Sequence, residues 1–236
     1  MTIQEANQII QEVIDSGEAL DTQIDLCEVT SAVGLELPEE VGALVLNGLT
    51  SAEGLNLPKR VDGELYLDGL TSAEGLKLPN VGDCLYLNGL TSAVGLTLPE
   101  SVGSLELNGL TSAAGLTLPD SVGNNLSLNG LTSAEGLTLP PLWKLDAGEI
   151  TLDGLLTAEG LILPSQVRRV SLNGLLTAEG LILPSQVEQA YLNGLTTGVH
   201  LSLPEDFSGY LMLAGLPLTE KELLRKRYPN LADKIK

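Results

Sequence analysis

The chain has 236 residues, of which 43% are hydrophobic and only 3% aromatic, and a formal net charge of -19. A Leu, Val and Ala core almost without rings suits thin repeated layers rather than one large core, and an acidic surface repels nucleic acid and anionic membrane, so neither is an expected partner. No apolar run approaches the ~18 residues of a spanning helix. The start, MTIQEANQIIQEV, lacks the basic n-region and apolar h-region of a secretion signal, so a cytoplasmic location is expected. Cys27 and Cys84 stand three coils apart in the repeat described below, too far for a disulfide, and neither has a metal-ligand spacing.

Residues 1–17 place Ile3, Ala6, Ile9, Ile10, Val13 and Ile14 at steps of three and four, the apolar face of a helix that Ser16-Gly17 stops. A helix directly before a repeat array is expected to lie as a cap over the leucines of the first coil.

From residue 18 to 218 one phrase recurs, clearest in LYLNGLTSAVGLTLPESVGSLELNGLTSAAGLTLPDSV from Leu85 to Val122. Its L-x-L pairs repeat every 20 or 21 residues with one longer step, which contains an irregular insertion near 140–147. The fold class expected is all-β: a parallel β-solenoid of about ten coils with two short strands each. In Leu44-Val45-Leu46 the leucines face inward and Val45 outward, a half-buried strand. Asn47-Gly48 is expected to turn the corner in the left-handed backbone both residues tolerate, and Thr50 to Gly54 reads as one turn of 3₁₀ helix. Leu55-Asn56-Leu57 reads as the second strand, ended by Pro58, so two sheets are expected, one from the L-x-L-N-G strands and one from the G-L-x-L-P strands. Stacking aligns Asn47, Asp68, Asn88, Asn108, Asn129, Asp153, Asn173 and Asn193 in a column that can hydrogen-bond along the array.

Residues 219–236 reverse the charge, with 6 basic and 3 acidic residues against 6 and 25 in residues 18–218. Thr219-Glu220-Lys221-Glu222 reads as a capping box. The segment is expected to cover the last coil with Leu223, Leu224, Leu231 and Ile235, leaving its lysines and arginines in water.

The phrases Leu107-Asn108-Gly109-Leu110, Gly115-Leu116-Thr117-Leu118-Pro119 and Ser121-Val122-Gly123 resemble bacterial leucine-rich repeats of the surface-antigen (BspA-like) type. Val102-Gly103-Ser104-Leu105-Glu106-Leu107 is similar to the β-helical L domains of receptors. The resemblance covers Ile24 to Leu218 and implies a stacked parallel solenoid that binds proteins and has no catalytic residues. The asparagine that directly follows the second Leu departs from the regular leucine-rich pattern and implies a flatter coil than a horseshoe with outer helices.

A site in a repeat array shows as a break in the pattern, because what every coil repeats is what every coil needs to fold. His200 stands where other coils have the turn-ending Gly, and a left-handed backbone accounts for it. No nucleophile with its base, phosphate loop or calcium repeat is present, so no enzyme and no cofactor are expected. The remaining breaks are apolar. Thr50, Thr71, Thr91, Thr111 and Thr132 give way to Leu156 and Leu176, and Thr97, Thr117 and Thr138 give way to Ile162 and Ile182. The only Trp, Trp143, lies in the insertion just before them. Either these side chains form a partner surface, or the insertion covers them.

A secondary candidate is the vertically adjacent pair Tyr66 and Tyr86, expected to stack on the outer face of the first sheet. The reading is a non-enzymatic scaffold for a protein partner or for self-association. A structural spacer is the alternative, and ice binding by the Thr rows or mimicry of nucleic acid by the acidic surface are minor ones.

Overall fold

A computed structural model describes residues 1–140 and 148–236. It is a parallel β-solenoid with one α-helix near each end. The chain forms two compact units, one of residues 1–110 with 115–122, the other of residues 111–114 with 123–236.

In the first unit the strands Gln23–Asp25, Ala43–Val45, Leu65–Tyr66, Cys84–Tyr86 and Ser104–Glu106 pair in parallel in chain order. Register places Ile24, Leu44, Leu65, Leu85 and Leu105 in one fully buried column. In the second unit Asn125–Ser127, Glu149–Thr151, Gln166–Ser171, Gln186–Tyr191 and Tyr210–Met212 pair in the same way. Each coil adds a few apolar side chains to the same columns, so a leucine is buried only when the coils above and below are in place.

The second ladder is not where the leucines suggest. The G-L-x-L-P segments form no strand, and Leu57, Leu78, Leu98 and Leu118 are only half-buried. The second set of bridges falls after the proline, at Glu40–Val41, Arg60–Val61 and Asn80–Val81, and at Ser101–Val102 with Ser121–Val122. Proline ends the ledge, and the β-branched valine two or three residues later turns inward to restart pairing. Glycine directly follows Val41, Val81 and Val102, and the backbone bends there, separating the bridge from the main strand. In the second unit Arg168 and Glu188 replace that glycine, and Gln166–Ser171 and Gln186–Tyr191 run unbroken for six residues.

The two turns of a coil also differ from expectation. Leu49 N–H closes on the Leu46 carbonyl, yet among the described residues no non-glycine residue and none of the Asn-Gly glycines has positive φ. The glycine is required by stacking instead: a Cβ on Gly69 would run into the carbonyl oxygens of Asn47 and Leu49 in the preceding coil. The next corner is a β-turn rather than a 3₁₀ turn. Leu55 N–H bonds the Ala52 carbonyl at 3.0 Å, and Gly54 at φ 72° supplies the left-handed third position of a type II turn. Ser51 Oγ accepts the Glu53 N–H at 3.1 Å and tightens it. His200 does not adopt the left-handed backbone, and Leu201 N–H closes that turn on Gly198.

Helix α1 (Ile3–Ser16) begins with a capping box between Thr2 and Glu5 and ends on Gly17 at φ 74°. Ala6 and Ile10 are buried against the first coil, while Ile14 is exposed. Asn7 completes the cap: its Nδ2 donates to the Gly34 carbonyl at 2.8 Å and its Oδ1 accepts the Glu36 N–H at 3.0 Å.

Helix α2 (Leu218–Arg227) has its N-cap at Pro217, two residues before the expected Thr219, and no side-chain N-cap bond, so the expected capping box does not form. Glu220 serves another end, accepting the Gly198 N–H at 3.1 Å. Leu224, Leu231 and Ile235 are buried, but Leu223 is 55% exposed. Several of the cations are not left to water. Arg225 donates to the Ala232 and Ile235 carbonyls, Arg227 to those of Gly198, Val199 and Leu201, and Lys234 to Ser208. They satisfy carbonyls that no further coil covers. Ile235 then bridges Leu211 in parallel, covering the edge of the last strand with a single bridge.

Candidate functional site

The alternation that buries Leu161 and Leu181 turns the next residues outward. Ile162 and Ile182 are each 78% exposed, and Leu156 and Leu176 are 65% and 57% exposed. All four belong to the second unit, where the coils hold them in register: Leu156 N–H bonds the Thr132 carbonyl at 3.2 Å, and Thr196 N–H bonds the Leu176 carbonyl at 3.1 Å. Exposed Glu159 and Glu179 lie in the chain between the two apolar columns. Trp143, the fifth member expected, lies outside the described residues.

Tyr66 and Tyr86 stack as expected, with ring centroids 4.4 Å apart and planes 4° from parallel. Parallel pairing of Leu65–Tyr66 with Cys84–Tyr86 sets that geometry, and both rings are half-buried. Burial holds the Tyr86 phenol well above its ordinary value, and a hydrogen bond with the Cys84 side chain raises it further. Glu106 follows Tyr86 in the column and accepts from Asn88 Nδ2 at 3.1 Å.

The asparagine column forms a ladder in each unit. Asn47, Asp68 and Asn88 each accept through Oδ1 the backbone N–H of the same position one coil on, as do Asn129, Asp153 and Asn173. These Oδ1 atoms are committed to main-chain N–H groups, while the Nδ2 groups of Asn88, Asn129 and Asn173 donate to the side chains of Glu106, Ser127 and Ser171.

One feature was not anticipated from sequence. A cleft of about 470 Å³ opens in the second unit where the two unbroken strands pass, with Gln166, Arg168, Gln186, Glu188, Gln189 and Tyr210 around it and Val167 and Val187 beneath. Its signal in the sequence is the loss of glycine after Val167 and Val187. Among the described residues no three His, Cys, Asp or Glu side chains are grouped to hold a metal ion, and His200 is exposed. No helix among them is long and apolar enough to cross a membrane. No family model, curated protein or solved structure matches this chain.

Proposed function

We propose that the chain is a non-enzymatic repeat scaffold that binds a protein partner through the columns Leu156/Leu176 and Ile162/Ile182. The observation that carries this reading is the exposure of all four side chains in two near-identical coils, since stacked apolar side chains in water favour association. The acidic residues between the columns, Glu159 and Glu179, favour a partner with basic groups set between two apolar strips. The leucine-rich-repeat kinship of BspA-like or L-domain type belongs to the same proposal. It is supported by the recurring phrase and by parallel stacking, and it favours protein rather than nucleic acid or membrane as the ligand.

End-to-end self-association is disfavoured because α1 covers the first coil and Ile235 pairs with the last strand. The test compares the intact chain with the Leu156→Ser, Ile162→Ser, Leu176→Ser, Ile182→Ser variant in chemical cross-linking and sedimentation velocity. A partner retained by the former and lost by the latter, at unchanged melting temperature, supports the scaffold. Equal cross-linking by both overturns it in favour of a spacer.

A further inference from the structure

We propose that the cleft in the second unit binds a neutral saccharide, independently of the apolar columns. Its origin is physical. Arg168 and Glu188 stand where other coils bend at glycine, so two adjacent strands carry long polar side chains outward. Gly148 and Gly209 flank this space, and Gly209 lies so close to the preceding coil that a Cβ would meet the Val187 carbonyl oxygen. The volume, about 470 Å³, lies within the range of about 300–1,000 Å³ usual for small-molecule sites.

The lining specifies the ligand class. In a chain of net charge -19 the charges here cancel: Arg168 Nε donates to Glu188 Oε2 at 3.3 Å, and Arg169 pairs with Glu149 at 3.8 Å behind it. Among the side chains that line the cleft a charged ligand meets only the Arg168–Glu188 pair, and the two lysines nearest it stand at its edge, Lys234 on the Ser208 carbonyl and Lys236 by the Tyr210 ring. The remaining polar groups both donate and accept. Gln166 and Gln186 lie side by side in the strand register, and among the described residues neither amide has a side-chain hydrogen bond. Gln189 Oε1 accepts from the Tyr191 hydroxyl at 2.8 Å, which leaves its Nε2 to donate.

Planar groups that donate and accept at one site suit hydroxyls, which do the same. Tyr210, 44% exposed, adds an aromatic ring to the wall, and Lys236 Nζ stands 6.0 Å from its centroid. Ring faces pack on the C–H faces of sugars while their surroundings bond the hydroxyls. The exposed Arg168–Glu188 pair contributes little stability in water, so its donors and acceptors are open to exchange. The apolar floor is only the narrow strip of Val167 and Val187, which are 4% and 2% exposed. It offers no pocket for the side-chain anchor that a peptide or protein partner requires.

The test is saturation-transfer NMR and calorimetry on the full chain with cellohexaose, maltohexaose, xylohexaose and chitohexaose as probes. Hexagalacturonate serves as an anionic control and a Gln/Ser peptide as a polar one. The expected result is saturable binding of at least one neutral hexasaccharide. That binding should weaken at least about tenfold, or about 1.4 kcal/mol, in Gln186→Ala and in Tyr210→Ala, and stay unchanged in Ile162→Ser. Gln186 is exposed, so its variant keeps the fold and its melting temperature. The proposal is overturned if no neutral probe binds at about 10 mM, a limit well above a millimolar Kd. It is equally overturned if only the anion or the peptide binds, or if Gln186→Ala binds as tightly as the parent.

Discussion

Asp68 stands in a column of asparagines, and its Oδ1 accepts the backbone N–H of Asn88 at 2.8 Å, as Asn47 Oδ1 accepts that of Asp68 at 2.9 Å. The ladder needs one oxygen aimed at the next coil, and a carboxylate or an amide supplies it equally. Asp68→Asn should therefore change stability by less than about 0.5 kcal/mol. Asn88→Ala strands the N–H of Asn108, which Asn88 accepts at 3.0 Å, and should cost about 1–3 kcal/mol. Urea denaturation of the two variants separates these outcomes.

Two kinds of glycine should respond differently to substitution. Gly95 has φ 81° and open space where a Cβ would stand, so Gly95→Ala should cost about 1–2 kcal/mol and Gly95→Asn less, because Asn tolerates the left-handed region. A Cβ on Gly89 would meet the carbonyl oxygens of Asp68 and Leu70. Gly89→Ala should then cost about 1–3 kcal/mol or more, with Gly89→Asn no better. Melting temperatures of the four variants check the distinction.

Acidification should loosen α1 first. The backbone N–H of Thr2 donates to Glu5 Oε2 at 2.7 Å, and this bond, with the Thr2 side chain second, holds the Glu5 carboxyl below its ordinary value. A depressed folded-state pKa stabilises the helix above the unfolded value of about 4.3, and that contribution is lost as pH falls through the folded value. Protection factors for amide exchange at residues 3–6, taken relative to the intrinsic rate at each pH, should fall on acidification, and Glu5→Gln should remove that fall.

Alkaline titration should show one phenol ionising above the usual value of about 10. Burial, followed by the Cys84 side chain, raises the Tyr86 phenol, so its stabilising contribution is full below the unfolded value and is lost as pH rises beyond it. The late step in the ultraviolet titration should vanish in Tyr86→Phe.

The exposed columns should tolerate polar replacement. With 57–78% exposure, serine at Leu156, Ile162, Leu176 or Ile182 should alter stability by no more than about 0.5 kcal/mol each. Leu155→Ser, at a fully buried neighbour, should cost several times more. Denaturant midpoints of the single variants decide this.

The repeat phrase made the solenoid legible because each coil must bury the same columns, and periodicity reports that demand directly. Leu156, Leu176, Ile162 and Ile182 were legible as breaks in it, and the stacking of Tyr66 on Tyr86 followed from their spacing. The second ladder was misplaced because an L-x-L pair reads as a strand whether or not its backbone meets a partner. The valines after each proline were the better guide. The Asn-Gly glycines were read as conformational, whereas Gly69 and Gly89 are required by carbonyl groups that only stacking brings near.

By itself the sequence determined the coil length, the inward columns, the asparagine ladder and the two capped ends, because these follow from local pattern repeated at a fixed period. Only the tertiary structure decided which backbone segments pair, which cations of the last cap bind carbonyls, and where Gln166, Gln186, Gln189 and Tyr210 converge on one cleft. Those depend on distances between coils, which a residue's own neighbours in the chain do not encode.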